Sequence, residues 1–160
     1  MTVMLLAVVS GLVALAVAEL LRRRRRAPLE PPANWQVPTT LQREDFGRPD
    51  APWLVVAFTS ATCDSCASAW ARVSQLASDE VAVEEVEAKA RRRLHERYRI
   101  DAVPLVVVAD ASGGVRANFV GPFTATDLWG TVAELRQPGS LPPGCAPGGT
   151  ASLDGVPGAT

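Results

Sequence analysis

The sequence predicts an α/β domain, because strand-like and helix-like segments alternate along its middle. Apolar or alternating runs of strand length are separated by longer segments whose apolar residues have helical spacing. An Asp-Ala-Ser-Gly-Gly turn between the last two strands predicts a hairpin. The predicted strands cover residues 53–58, 80–86, 103–109 and 115–120, and the predicted helices cover 64–78, 88–99 and the segment after Thr124.

Each predicted helix has an apolar face. Asp127 lies three residues after Thr124, a spacing that predicts a capping box for the last helix. His95 lies off the apolar stripe of the middle helix, which indicates a surface histidine. The predicted buried faces are Trp70, Val73, Leu76 and Ala77; Ala90, Leu94 and Tyr98; and Leu128, Trp129, Val132 and Leu135.

The charge of the chain is unevenly distributed. The formal net charge is −1, and five of the sixteen basic residues are Arg22 to Arg26. From Ala27 onward there are 11 basic and 16 acidic residues, so the domain itself is mildly acidic. This balance does not suggest nucleic-acid binding.

Residues 2–21 predict a transmembrane anchor. They are almost entirely apolar, and as a helix they would span roughly 30 Å, the thickness of a bilayer core. A cleaved signal peptide is the alternative, since residues 16–18 (Ala-Val-Ala) resemble a cleavage site, but five arginines directly afterwards would resist translocation. We therefore expect a single-pass protein of the cell membrane whose domain faces the cytoplasm.

Composition divides the remainder of the chain. Arginines and prolines over residues 22–40 predict an extended linker, and residues 41–136 form the predicted domain. Eleven of the residues in 137–160 are Pro or Gly, which predicts a disordered tail. No internal repeat is present.

Cys63 and Cys66 form the candidate redox site. They follow the first strand and fall at the first turn of the predicted helix, with Cys63 at or near its N-cap. The unpaired N–H groups and the positive end of the helix dipole there favour a thiolate on Cys63. A spacing of three lets the two sulfurs form a disulfide, so the pair can cycle between dithiol and disulfide.

Other roles for the cysteines are less favoured. Half of a zinc site would need two more ligands, and His95 and Cys145 are the obvious soft candidates. Cys145 lies in the predicted tail, where a free thiol is the simpler interpretation, although it could resolve or regulate the pair. We predict no metal and no cofactor.

The order of elements resembles the thioredoxin-like family. The resemblance covers roughly Leu41 to Leu135 and rests on residues 58–66, on the Tyr-Arg-Ile-Asp-Ala-Val-Pro segment ending at Pro104, and on Val120-Gly121. It implies a central mixed β-sheet flanked by helices. It also implies that Pro104 is a cis-proline beside the cysteine pair, where the backbone of Val103 pairs with an extended substrate.

The sequence departs from the family at several positions. Thr62 stands where many thioredoxins have tryptophan, and Asp64-Ser65 replaces the common Gly-Pro. Ala57 occupies the place of a buried acid, for which Glu84, Glu85 or water are the alternatives. Asp64 places a negative charge beside Cys63, which raises the pKa of that thiol and makes the disulfide harder to reduce.

Together these features predict a membrane-tethered thiol–disulfide oxidoreductase that reduces disulfides of a dedicated partner protein. Cys63 would attack the partner disulfide and Cys66 would resolve the mixed disulfide, with Val103 and Pro104 holding the substrate and Asp64 tuning the thiol. The expected partners are a disulfide-containing protein, a protein reductant and the lipid bilayer. The alternatives are a redox-inert adaptor that binds a membrane partner, and an exported thiol oxidase or redox sensor.

Overall fold

A computed structural model of the chain describes residues 35–141 and the backbone of residues 150–151. Three α-helices and two short 3₁₀ turns surround one five-stranded sheet. The strands are β1 (Trp53–Thr59), β2 (Val81–Glu87), β3 (Leu105–Ala109), β4 (Val115–Val120) and β5 (Thr150–Ala151), and the helices are α1 (Cys66–Val73), α2 (Arg92–Arg97) and α3 (Ala125–Arg136).

The sheet is mixed, as expected, with the strand order β2-β1-β3-β4-β5. β1 is parallel to β2, because the chain crosses over through α1, and it is antiparallel to β3. A tight hairpin makes β3 and β4 antiparallel. Gly113 in that hairpin has a φ of +83°, and a Cβ there would collide with the Leu41 carbonyl, so only glycine fits.

Both faces of the sheet are covered, which explains why β1 and β3 are almost continuously apolar. Residues of β1 alternate between the two cores. Leu54, Val56 and Phe58 face Leu41, Phe46 and Tyr98 on one side, whereas Val55 and Ala57 face Val73, Leu128 and Val132 on the other.

The first predicted helix is shorter than expected. It begins at Cys66 and ends at Val73, and one 3₁₀ turn, Ser74–Leu76, follows it. Its buried residues are Cys66, Ala69 and Val73, while Trp70 is half-buried and Ala77 is exposed. The predicted face is therefore confirmed for Val73 and, in part, for Trp70 and Leu76, which pack partly buried against the same core, and it is wrong for Ala77.

The predicted start of the last helix is confirmed, but its predicted apolar face is wrong at one position. Thr124 and Asp127 form the capping box. Thr131 is buried where Trp129 was expected, and Trp129 is 46% exposed. The hydroxyl of Thr131 can be buried because it donates to the Asp127 carbonyl at 2.7 Å, whereas the Trp129 indole donates to the Arg72 carbonyl at the surface.

The middle helix is also shorter than predicted, and His95 is not a surface residue. Only Arg92–Arg97 is helical, and residues 88–91 form a turn. His95 is half-buried, with its Nε2 2.8 Å from the Val86 carbonyl and its ring edge-on to Phe58 at 5.4 Å between centroids.

The predicted terminal segments lie mostly outside the described residues. This applies to the anchor over 2–21, to residues 22–34 of the linker, and to most of the tail. Within the described part of the chain, none of the helices has the length and apolar content needed to cross a bilayer. Inside the segment predicted to be disordered, the backbone of Thr150–Ala151 pairs with β4.

Tyr98 joins the 3₁₀ turn Arg43–Asp45 to the core. Its hydroxyl donates to Asp45 Oδ2 at 2.5 Å and accepts from the Gln42 N–H at 3.0 Å. Burial, reinforced by the hydrogen bond to Asp45, raises the pKa of Tyr98 from 10.0 to about 12. The phenol therefore stays protonated in the folded protein at pH values where an unfolded tyrosine ionises.

This pKa difference predicts a loss of stability in alkali. Between pH 10 and 12 the unfolded state loses the Tyr98 proton and the folded state keeps it, so the free energy of unfolding should fall by on the order of 1.4 kcal/mol per pH unit. Tyr98→Phe should cost about 2 kcal/mol at pH 7 and lack this slope. Urea denaturation from pH 7 to 12 measures both, and equal slopes in the two proteins would contradict the assignment.

Candidate active site

Four segments meet at one edge of the sheet. β1 ends at Thr59 beside Glu87, the last residue of β2, and Phe58 lies opposite Leu105 at the start of β3. The loop that follows Thr59 carries the cysteines, and Val103 and Pro104 directly precede β3. The Gly121 N–H donates to the Pro104 carbonyl at 2.8 Å, which fixes the end of β4 there as well.

Cys63 and Cys66 form a disulfide, with their Cα atoms 5.4 Å apart. Cys63 is only partly buried, whereas Cys66 is 3% exposed. A partner molecule can therefore reach the Cys63 sulfur but not that of Cys66. This is the asymmetry expected of an attacking and a resolving cysteine.

The helix begins two residues later than expected relative to the cysteine pair. Ser65 is the N-cap and Cys66 is the first helical residue, so Cys63 lies one turn before the helix and not at its N-cap. Two turn hydrogen bonds hold it there, from the Cys63 N–H to the Ser60 carbonyl at 3.1 Å and from the Cys66 N–H to the Cys63 carbonyl at 3.2 Å. The sulfur still faces the N-terminal end of α1, because the disulfide joins it to Cys66.

Ser65 is a site residue that sequence reasoning left without a role. Its Oγ lies 3.7 Å from the Cys63 Sγ, close enough to donate a hydrogen bond to a thiolate. Asp64, between them, is exposed. The sequence signal that could have revealed Ser65 is a hydroxyl two residues after the accessible cysteine, in a turn that folds back towards it.

Val103 and Pro104 directly precede β3. The peptide bond between them is cis. Pro104 is buried, and Val103 is half-buried at the start of the strand. The antiparallel register with β1 brings both residues to the edge that carries the cysteine loop.

Glu84 and Glu85, the two alternatives to the buried acid that Ala57 replaces, lie on opposite faces of the sheet. Ala57 is completely buried, and Glu85 is its partner in the β1–β2 register, so both lie on the face covered by α1. The carboxylate of Glu85 accepts from the Thr59 hydroxyl at 2.8 Å. Glu84 faces the other side, where it binds the Gly47 N–H and pairs with Arg91.

Glu87 holds the cysteine loop in place and was missed by the sequence analysis. One oxygen accepts from the Ala61 N–H at 3.1 Å, and the other accepts from the N–H groups of Lys89 and Ala90 at 2.9 and 2.8 Å. These backbone donors, Ala90 first, lower the pKa of Glu87. No local pattern marks such a residue, because its partners belong to two separate turns.

A zinc interpretation receives no support from the described residues. Among residues 35–141, no group of three or more His, Cys, Asp or Glu side chains is arranged to hold a metal ion. His95 is directed to the Val86 carbonyl. Cys145 lies outside the described residues.

The fold and the cysteine pair together define a class of protein. A central β1 parallel to β2 and antiparallel to β3, with a bonded cysteine pair after β1 and a proline directly before β3, constitutes a thioredoxin-like fold. The family resemblance predicted from the sequence is therefore confirmed at the level of the fold.

Comparison with known proteins finds similar solved structures. No protein-family model matches the chain, and no curated protein does. Oxidised thioredoxin O2 from Arabidopsis thaliana is 21% identical with a TM-score of 0.47, covering 55% of this chain and 78% of that one. A mutant thioredoxin from Halobacterium salinarum NRC-1 is 23% identical with a TM-score of 0.45, covering 54% and 75%. The fold assignment rests on strand order and pairing.

Ser65 and Asp64 should have opposite effects on the pKa of the Cys63 thiol, because Ser65 can donate a hydrogen bond to the thiolate and Asp64 repels it. Ser65→Ala removes a donor to the thiolate, so in the reduced protein it should raise the pKa of Cys63 and slow alkylation at pH 7 about threefold. Asp64→Asn removes a repelling charge and should speed the same reaction. Iodoacetamide kinetics against pH measure both effects.

Thr62→Ala is the matched control, because the Thr62 hydroxyl contacts Ser60 and not the sulfur. It should leave the alkylation profile unchanged. A Ser65→Ala profile that coincides with the unsubstituted protein would show that the hydroxyl does not reach the thiolate.

Proposed function

We propose that this protein is a membrane-tethered thiol–disulfide oxidoreductase that reduces disulfides of a partner protein. The observation that carries the proposal is a disulfide with one accessible sulfur, Cys63, and one buried sulfur, Cys66. A disulfide that only stabilises the fold needs no such difference in exposure. In an exchange reaction, one sulfur must be accessible to attack the substrate, and the other attacks only after the mixed disulfide has formed.

The reaction transfers two electrons to the partner. The Cys63 thiolate attacks one sulfur of the partner disulfide, forming a mixed disulfide and releasing the first partner thiolate. The Cys66 thiolate then attacks the Cys63 sulfur, forming the Cys63–Cys66 disulfide and releasing the second partner thiolate. Both partner thiolates are protonated, so the protein loses two protons and two electrons in total. A dithiol protein reductant restores the pair.

The residues around the pair support the reducing direction. Asp64 is exposed directly beside Cys63, and its negative charge disfavours the thiolate. A less stable thiolate makes the dithiol form a stronger reductant and the disulfide harder to reduce. Val103 and Pro104, at the same edge, are the proposed binding site for the backbone of the partner.

Trapping of the mixed disulfide tests this function. Cys66→Ser removes the resolving thiol, so Cys63 should remain bonded to partner proteins in cells after acid quenching. The Cys63→Ser/Cys66→Ser variant is the control and should form no adducts. Non-reducing gels followed by reduction detect the difference.

Two outcomes would contradict the function. One is the absence of adducts with Cys66→Ser. The other is full cellular activity of the double variant, which would favour a redox-inert adaptor. The observation in favour of the adaptor is that Ala57 is fully buried in an apolar core and offers no acid there.

Membrane tethering is the second component of the proposal. The apolar stretch 2–21 is followed by Arg22 to Arg26, and such a run remains on the cytoplasmic side. Protease added to inverted vesicles should therefore digest the domain, and right-side-out vesicles should protect it. Protection in inverted vesicles would instead support the exported thiol oxidase or redox sensor.

A further inference from the structure

A basic groove lies next to the cysteine loop. It has a volume of about 690 Å³ and is lined by residues 89–94 and by Glu96. Residues 88–99 contain six of the eleven Lys and Arg residues of segment 41–136 but only one of its fourteen acidic residues. The positive charge of an otherwise acidic domain is therefore concentrated in this segment, and four of its six cations line the groove.

The groove is joined to the cysteine loop through Glu87. That carboxylate accepts from the Ala61 N–H on one side and from the N–H groups of Lys89 and Ala90 on the other. The Ala88 N–H also donates to the Thr59 carbonyl at 2.9 Å. Since Ala61 precedes Cys63 by two residues, one wall of the groove is bonded to the segment that presents the accessible sulfur.

Two of the four cations in the groove are engaged. Arg91 pairs with Glu84 at 2.7 Å and donates to the Asp45 carbonyl, and Arg92 pairs with Glu96 at 2.7 Å. Lys89 and Arg93 are exposed, and their side chains make no hydrogen bond or ion pair with the part of the chain that the structure describes. Glu87 lies near Lys89, but its oxygens already accept three backbone N–H groups.

We propose that this groove binds an acidic segment of the partner protein whose disulfide Cys63 reduces. The inference rests on the proposed function, because it assigns a substrate class to the same site. Lys89 and Arg93 would pair with Asp or Glu side chains that flank the partner disulfide, which aligns the disulfide with Cys63. Such charge pairing selects partners and speeds their association. A long polyanion such as nucleic acid fits less well, because acidic residues predominate outside the groove.

Binding is tested with a glutamate-rich, cysteine-free fluorescent peptide and the full-length chain in detergent. The Lys89→Gln/Arg93→Gln variant should weaken binding about tenfold at low ionic strength. Arg136→Gln is the control, because it removes an exposed charge that pairs with Glu80 before the opposite end of β2. It should change the affinity by less than about twofold.

Two binding results would overturn the proposal. One is equal affinity of the Lys89→Gln/Arg93→Gln variant and the unsubstituted chain for the peptide. The other is tighter binding of a single-stranded oligonucleotide with the same number of negative charges, which would assign the groove to nucleic acid.

Reduction is tested separately with disulfide peptides that differ only in their flanks, which are acidic, neutral or basic. In single turnovers of the reduced chain, the acidic peptide should react about five times faster than the neutral one. In the Lys89→Gln/Arg93→Gln variant this ratio should fall to about one, and high salt should abolish it in the unsubstituted chain.

The binding and reduction experiments distinguish an error in the groove proposal from an error in the proposed reductase function. Equal reduction rates for all flanks would overturn the groove proposal and leave the reductase in place. Binding of the acidic peptide without reduction of any disulfide would overturn the reductase and leave an acidic-peptide site.

Discussion

The position of β1 is the constraint on which the rest of the structure depends. This strand is hydrogen-bonded to β2 on one edge and to β3 on the other, and six of its seven residues are buried. It has cores on both faces, so it cannot shift without moving both. The position of its last residue, Thr59, is therefore fixed, and so is the start of the cysteine loop that follows it.

The loop itself is positioned by polar contacts and not by packing. Glu87 ends the neighbouring strand and accepts from Ala61 within the loop, while turn hydrogen bonds connect Ser60, Cys63 and Cys66. In this arrangement Cys63 is partly buried and Cys66 is almost completely buried. The chemical asymmetry of the pair thus follows from where the helix begins.

Much of the fold could be predicted because it depends on local patterns. The strands, the hairpin at Gly113, the capping box at Thr124 and the cysteine pair each involve residues only a few positions apart. The helix faces were predicted less well. Thr131 is buried and Trp129 is exposed, because the Thr131 hydroxyl donates to the Asp127 carbonyl of its own helix, whereas the Trp129 indole finds its acceptor, the Arg72 carbonyl, at the surface.

By itself, the sequence determined the α/β class, the closely spaced cysteine pair and the proline that precedes β3, since these depend on residue type and short spacing. Only the tertiary structure decided how deeply each cysteine is buried and which acid lies beside Ala57. It also decided that a basic groove adjoins the loop. The physical reason is distance along the chain: the bonds from Thr59 to Glu85 and from Ala61 to Glu87 each join residues 26 positions apart. Such partners become neighbours only when parallel strands set their register.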